Sequence, residues 1–313
     1  MVFLAEYGLF LLKALTIVFS LLILLGGVLA LTRKAGFGLT LHSLNDAHLM
    51  VKGQMGRTIK GIKKRPKKDK KINKNAMYVI DFNGDMRATQ VEQLRKEVTA
   101  VLSIAEASDE VVIRLESPGG AVNGYGLAAS QLQRIRDRGI PLTVCIDKMA
   151  ASGGYLMSCV ANTIVAAPFA IVGSIGVVAQ IPNVHRWLKK HNVDVELITA
   201  GEYKRTLTVL GENTEKGRQK FKDDLEKIHQ KFRDYVFIHR PFVDIDAVST
   251  GEHWLGIEAH ALKLVDSLKT SDDYIIERMN RFTVYSVTQP GKRSMMDKLF
   301  KPASQLLSAW RLS

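Results

Sequence analysis

The central part of the chain alternates short β-rich runs with longer runs of helical period. Met77–Phe82 ends at the turn signal Asn83-Gly84, and apolar residues then recur at helical spacing through Ala88–Ala107. The same reading predicts further strands at Val111–Leu115, Leu142–Ile146, Thr163–Ala167, Val172–Gln180 and Val193–Thr199, and further helices at Gly124–Asp137, Ser152–Val160 and Lys216–Ile238. Strands that are separated by helices of this length form parallel sheets with crossover helices. The sequence therefore predicts an α/β fold.

An apolar stretch occupies the N-terminus. Residues Tyr7–Leu31 are apolar except for Lys13, and the uninterrupted run Ala14–Leu31 has 18 residues, just enough to cross the hydrocarbon core of a bilayer. A cleaved signal peptide would have a basic start and a shorter apolar run, whereas Glu6 makes this start acidic. We therefore predict one uncleaved transmembrane helix over residues 1–31 as a membrane anchor.

Positive charge is concentrated after this apolar stretch. Between Thr32 and Lys74 lie 13 lysines and arginines and two acidic residues, so this segment carries most of the formal net charge of +13. We predict a basic linker over residues 32–75, either a solvated spacer or a patch for anionic lipid headgroups, with a short interfacial helix in Leu39–Met55. The remaining chain is nearly neutral, which argues against nucleic acid as a partner. The few charges beside the apolar run leave the side of the membrane open.

Two glycine-rich loops follow predicted strand ends, which is where sites form in parallel α/β sheets. They are Ser117-Pro118-Gly119-Gly120 and Met149-Ala150-Ala151-Ser152-Gly153-Gly154-Tyr155. Ser152 would begin a helix, and the backbone N–H groups of Gly153 and of the first loop would converge on a developing oxyanion. This pattern indicates acyl transfer with Ser152 as nucleophile. The plainer interpretation is that Ser152 is only the N-cap of the helix.

A nucleophilic serine needs a general base, and no histidine lies in either loop. A Ser–Lys pair is the alternative. Lys204 follows a predicted strand end, and Ser174 offers a hydroxyl that would hold its amine. A lysine that acts as base must be neutral, and lowering its pKa from about 10.4 towards 7 costs roughly 4–5 kcal/mol, which requires burial or a nearby cation. The plainer interpretation of Lys204 is an exposed lysine in a turn.

Four motifs in this order resemble the signal peptide peptidase A family of serine peptidases. They are Ser-Pro-Gly-Gly at 117–120, Ala-Ala-Ser-Gly-Gly-Tyr at 150–155, Val-Gly-Ser-Ile-Gly-Val at 172–177 and Gly-Glu-Tyr-Lys at 201–204. The resemblance covers about Asn75–Leu268 and implies a Clp-protease/crotonase-like fold of stacked β-α-β units. It implies a serine endopeptidase of the bacterial inner (plasma) membrane that acts on membrane-associated peptides or misfolded envelope proteins. It also implies a homo-oligomeric ring or bowl, and no cofactor.

The resemblance assigns a role to each residue of the site. These are the nucleophile Ser152, the general base Lys204, the base-positioning hydroxyl of Ser174, and the oxyanion-hole N–H groups of Gly120 and Gly153. Gly119 is the other candidate for the donor on the first loop. The resemblance allows Lys204 to act on Ser152 of its own chain or on that of a neighbouring copy.

The sequence also predicts the remaining domain limits, and the apolar face and basic residues of the C-terminal stretch indicate its amphipathic character. A serine peptidase domain covers residues 76–290, and an amphipathic tail over 291–313 docks on the assembly or contacts lipid. Two other functions are compatible with the sequence. One is a crotonase-type acyl-CoA enzyme, for which Glu116 lies beside the first glycine-rich loop. The other is a catalytically silent membrane scaffold of the same fold. The sequence has no metal-ligand spacing, so no metal is expected.

Overall fold

The computed structural model describes residues 2–32, 38–61 and 75–288. In these ranges the helices α1–α10 cover Val2–Thr32, Leu44–Lys60, Val91–Leu102, Val122–Asp137, Gly153–Ser158, His185–Lys190, Glu215–His239, Ile245–Val248, Gly256–Ala261 and Ser271–Arg278. The strands β1–β10 cover Thr40–Ser43, Ala76–Asn83, Glu110–Glu116, Leu142–Ile146, Met149–Ala151, Thr163–Ala166, Ile171–Gly173, His253–Leu255, Ser267–Leu268 and Thr283–Thr288. The chain divides into two compact units, of which the first contains α1 and the second contains the other elements.

The main sheet of the second unit has the strand order β1-β10-β2-β3-β4-β6-β9 among the described residues. Neighbouring strands are parallel except at one edge, where β1 pairs antiparallel with β10. The central strands β2, β3 and β4 are mostly apolar and buried. Such near-continuous burial is typical of parallel strands that have helices on both faces. The predicted α/β fold with a parallel sheet is confirmed.

A smaller sheet with the order β5-β7-β8 continues from the carboxyl ends of β3 and β4. Ser117, directly after β3, forms a parallel bridge with Ala150 of β5. Strand β5 then pairs in parallel with β7, where Ala151 lies opposite Gly173. These pairings bring the ends of three strands, and the loops that follow them, to one place.

Two of the strands expected from sequence differ from the structure. The run Val172–Gln180 is a strand only over Ile171–Gly173, and Val193–Thr199 has no regular secondary structure. All residues of 193–199 are exposed, so the apolar side chains of this run lie on an uncovered surface instead of in a buried strand. Apolar, β-branched residues alone do not distinguish these two situations.

Residues 40–60, which the sequence analysis placed in the linker, belong to the second unit. The Asn45 side chain at the start of α2 accepts the N–H of Val284 at 2.7 Å and donates to the carbonyl of Met279 at 3.2 Å. Leu44 packs against the core cluster under β10. The predicted linker boundary is therefore wrong, since folded elements of this unit begin at Thr40. Residues 33–37 and 62–74 of the predicted linker and the predicted tail 291–313 lie outside the described residues.

The predicted anchor is helical as α1, and the side chains from Glu6 to Leu22 are exposed. Of the helices in the described ranges, none is both long and apolar enough to cross a membrane. The structure thus confirms a helix at this place but does not support its transmembrane role.

Candidate active site

Ser152 lies at the junction of β5 and α5. Its backbone has φ 51° and ψ −115°, a strained conformation for a residue that has a side chain. The strained backbone is held by the Ser152 N–H, which donates to the Gly173 carbonyl at 2.8 Å, and by the Ser152 carbonyl, which accepts from Leu156 at 2.9 Å. The hydroxyl makes no capping bond to α5 although Ser152 is the N-cap residue. Helix capping therefore does not explain a serine at this position.

The two glycine-rich loops meet beside this serine. The N–H of Ala151 donates to the Ser117 carbonyl at 3.0 Å, which joins the start of one loop to the end of β5. Gly119 has φ +85°, and a Cβ atom there would lie 2.7 Å from the Ser152 Cβ and 2.9 Å from the Gly153 nitrogen. Real Cβ atoms do not approach so closely. Only glycine at 119 leaves space beside the hydroxyl and the Gly153 N–H.

The hydrogen bonds distinguish the two candidate donors on the first loop. The N–H of Gly119 donates to the Ser117 hydroxyl oxygen at 3.1 Å, so it is already engaged. For the N–H of Gly120, no acceptor lies within the part of the chain that the structure describes. The N–H of Gly153 belongs to the first turn of α5, where helices leave N–H groups without an intrahelical partner. Gly120 and Gly153 are thus the two groups best suited to donate to an oxyanion.

A buried tyrosine, Tyr125, contacts both glycine-rich loops. The Tyr125 ring is closely packed against Gly153, where a Cβ atom would lie 2.4 Å from the ring. Its hydroxyl donates to the Asp85 carbonyl at 2.9 Å and lies 2.6 Å from the Ser117 hydroxyl oxygen. Burial raises the pKa of Tyr125, so this hydroxyl keeps its proton and remains a donor. The sequence analysis missed this residue because its spacing marks it only as part of a helix.

Ser152 opens into a groove with a volume of about 1250 Å³. The glycine-rich loops form one wall, and α7 forms the other. The apolar lining of the groove includes Met86, Val122, Leu156, Ile228, Phe232 and Tyr235. A mostly apolar lining with a few polar groups is typical of a ligand-binding site.

Ser174 lines the same groove, directly after β7. Its φ is 54°, and its N–H donates to the Glu252 carbonyl at 2.6 Å. The next residue, Ile175, has its carbonyl oxygen 3.2 Å from Nε2 of His229 on α7. The structure therefore brings Ser152, Ser174 and the two glycines to one groove. His229 of α7 also lines this groove, although its position in a highly charged helix gave no sign of this in the sequence.

Lys204 does not line the groove of the single chain. It lies in a turn in which its N–H donates to the Gly201 carbonyl at 3.2 Å, and its side chain is exposed. The described lysines that line the groove are Lys227 and Lys231, which are also exposed and lie 3.9 and 3.5 Å from aspartates of α7. The single chain thus buries none of these three ammonium groups.

Glu116, the acid considered for a crotonase-type reaction, is engaged elsewhere. Its carboxylate forms an exposed ion pair with Lys148 at 2.9 Å. It is not among the residues that line the groove. Among the described residues that line the groove there is no aspartate or glutamate.

Two adjacent stretches of the chain match one peptidase family. Residues 134–284 match Peptidase family S49, and residues 2–132 match Peptidase family S49 N-terminal. A probable protease SohB of Haemophilus influenzae is 48% identical over 330 residues, which cover 96% of this chain and 93% of that protein. The chain belongs to peptidase family S49.

Other relatives agree with this family membership. A putative protease SohB of Buchnera aphidicola subsp. Baizongia pistaciae is 44% identical over 329 residues, covering 95% of this chain and 94% of that protein. Protease 4 of Salmonella typhi is 30% identical over 197 residues, covering 62% of this chain and 30% of that protein. The resemblance to the signal peptide peptidase A family is thus confirmed, and this S49 peptidase is of the SohB type.

One solved structure is similar in outline. A mutant of the 1510-N membrane-bound stomatin-specific protease in complex with a substrate peptide matches with a TM-score of 0.47 and 14% identity. The match covers 73% of this chain and 99% of that chain.

Proposed function

We propose that this S49 peptidase is a membrane-anchored serine endopeptidase in which Ser152 is the nucleophile and Lys204 the general base. The observation that carries the proposal is the conformation of Ser152. Its strained backbone costs about 1–3 kcal/mol, and such strain is retained mainly at functional sites. The hydroxyl makes no capping bond, and the residue lines a groove between two glycine-rich loops. The parallel β-α-β arrangement agrees with the Clp-protease/crotonase-like fold that the resemblance implies.

The proposed reaction proceeds through an acyl-enzyme. The Ser152 oxygen attacks the carbonyl carbon of the scissile bond while its proton moves to the neutral amine of Lys204. The N–H groups of Gly120 and Gly153 stabilise the oxyanion, and removing one donor of this kind costs about 2.7–4 kcal/mol in other serine proteases. The amine product leaves with the proton from Lys204. Water then hydrolyses the ester by the same steps.

A second copy of the chain would complete this site. The segment of residues 178–210, which contains Lys204, exposes large apolar side chains, and Val178 and Ile198 are 91% and 89% exposed. Monomeric soluble proteins rarely leave such surfaces uncovered. If a neighbouring copy covers this segment, Lys204 loses water contact, which is the condition for a neutral amine. We therefore infer a homo-oligomer in which Lys204 acts on Ser152 of the adjacent copy.

The apolar N-terminal helix would hold this oligomer at the bacterial inner membrane. The proposal depends on the apolar run Ala14–Leu31 and on the exposed side chains of Phe10, Leu15 and Phe19 along α1. An anchored peptidase with an apolar groove would act on membrane-associated peptides or misfolded envelope proteins. The side of the membrane on which the peptidase unit lies can be measured with a reporter fused after residue 313, because a compartment-specific reporter is active on only one side.

The Ser–Lys assignment is tested with purified full-length protein in its native assembly. We expect Ser152→Ala and Lys204→Ala each to lower kcat on a peptide substrate by about 10³-fold or more. A fluorophosphonate probe should label the wild type but not Ser152→Ala. Mixed assemblies of the two inactive variants should regain part of the activity if Lys204 acts between copies.

Two outcomes would contradict these assignments. Wild-type rates in both variants would exclude the Ser–Lys pair. A wild-type protein that neither reacts with the probe nor cleaves any peptide would favour the catalytically silent membrane scaffold. If mixed assemblies stay inactive while each variant assembles normally, Lys204 acts within its own chain.

A further inference from the structure

Helix α2 exposes a stripe of apolar side chains. Val51, Met55 and Ile59 follow one another at a spacing of four residues, which places them along one side of a helix. They are 57%, 55% and 70% exposed. The less exposed side of α2 includes Leu49 and Gly53, which lie about 140° around the helix from this stripe. The stripe therefore lies on a side of α2 that the folded unit leaves uncovered.

The charges of α2 are suited to an anionic partner. Its basic residues are Lys52, beside the stripe, and Arg57 and Lys60 in the last turn. The acidic residue of this helix, Asp46, lies in the first turn, at the end that is attached to the sheet. A helix with an apolar stripe and basic neighbours has the composition of helices that lie in the headgroup region of a membrane. Anionic lipid headgroups attract such basic residues.

The position of α2 in the chain favours a lipid surface over a protein partner. Eleven residues separate the end of α1 at Thr32 from the start of α2 at Leu44. An extended chain of this length reaches about 40 Å at most. With α1 in the membrane, as proposed above, α2 begins within that distance of the end of the span.

We propose that α2 lies on an anionic lipid surface, with Val51, Met55 and Ile59 inserted at the boundary between headgroups and acyl chains. This inference rests on the proposed membrane anchor but adds a second contact. Because Asn45 connects α2 to β10, the contact would determine which side of the peptidase unit faces the bilayer. The apolar stripe and not the basic residues alone would make this contact.

A matched pair of methionines provides the test. Met50 and Met55 are both exposed, at 71% and 55%, but lie five residues apart and so about 140° apart around the helix. Each is replaced by cysteine in the full-length protein and labelled with an environment-sensitive fluorophore. The native thiols of Cys145 and Cys159 are buried, and burial raises their pKa, so the label reacts with the introduced cysteine.

The labelled proteins are reconstituted in vesicles of phosphatidylcholine with or without phosphatidylglycerol, and a quencher is attached to the lipid. With phosphatidylglycerol, we expect the label of Met55→Cys to shift to the blue and to be quenched several-fold more than that of Met50→Cys. Adding Lys52→Glu to Met55→Cys should reduce quenching in the anionic vesicles.

Three results would overturn the inference. The first is equal quenching at the two positions, and the second is no quenching at either. The third is a blue-shifted label at position 55 that the lipid-attached quencher does not reach, because protein and not lipid would then cover the stripe. Failure of the anchor is seen separately, because the protein would then not float with the vesicles. Flotation with an unquenched label at position 55 retains the anchor and refutes the contact by α2.

Discussion

Replacing Gly119 with alanine would place a methyl group directly beside the proposed nucleophile. The new Cβ atom would lie 2.7 Å from the carbonyl oxygen of Ala151, 2.7 Å from the Ser152 Cβ and 2.9 Å from the Gly153 nitrogen. Two of these contacts are with backbone atoms, which cannot rotate away as a flexible side chain would. The loop that contains Gly120 must therefore shift to accept the substitution.

The magnitude follows from two separate costs. The φ of +85° at Gly119 is unfavourable for alanine by about 1–2 kcal/mol. Relieving the overlap adds about 1–3 kcal/mol, as for other overpacked sites. If the loop moves to relieve it, the Gly120 N–H leaves the position of the oxyanion, and losing one such donor lowers kcat by about 10²–10³-fold. We expect Gly119→Ala to lose both stability and this much of kcat.

Gly139→Ala is the matched control, because Gly139 has φ +69° but no atom within 4 Å of its Cβ position. It should lose about 1–2 kcal/mol of stability through φ alone and keep its kcat. The measurements are urea unfolding and peptide cleavage by each purified full-length variant. A Gly119→Ala protein that retains wild-type kcat would refute the proposal that the first glycine-rich loop contributes to the oxyanion hole.

Three further predictions concern two residues around the site and one at the end of α7. Ser174→Ala should lower kcat by about tenfold or more and move the pH–rate profile, because a mispositioned base loses part of its contribution. Tyr125→Phe should cost about 1–2 kcal/mol in urea unfolding, because the Ser117 hydroxyl loses its partner at 2.6 Å. Burial, with a smaller effect of the Arg136 charge, lowers the pKa of His239 from 6.5, so the unfolded chain binds this proton more readily. Stability should therefore fall as the pH decreases through and below 6.5, and this fall should be smaller in His239→Gln.

Local patterns were sufficient for the core of the fold. The strand Leu142–Ile146 has the predicted limits, and the helix predicted at Lys216–Ile238 is observed at Glu215–His239. The strand predicted at Val193–Thr199 is not observed. Its apolar residues are exposed in the single chain, so their pattern marks an exposed apolar surface and not a buried strand. The linker prediction failed for the opposite reason. Residues 40–60 are rich in polar groups, but β1 pairs with β10 and the Asn45 side chain joins α2 to the same strand.

The residue types of the site were also visible in the sequence, whereas their relation to one another was not. Glycines beside Ser152 indicate an oxyanion site because any Cβ atom would obstruct it. That the Gly119 N–H is bonded to Ser117, while Gly120 has no acceptor among the described residues, depends on how the loop closes. Lys204 is predicted as the base from its position after a predicted strand end and from its motif, but the single chain leaves it exposed and outside the groove.

By itself, the sequence determined the alternation of strands and helices, the apolar N-terminal run and the kinds of residue at the site. These properties depend on residues that are close together in the sequence, so the periodicity and the backbone preferences of those residues are enough to predict them. Only the tertiary structure decided that Ser152 does not cap its helix, that α7 forms one wall of the groove and that α2 is bonded to β10. Those outcomes depend on contacts between residues far apart in sequence, and such contacts exist only after the strands have paired and the helices have packed.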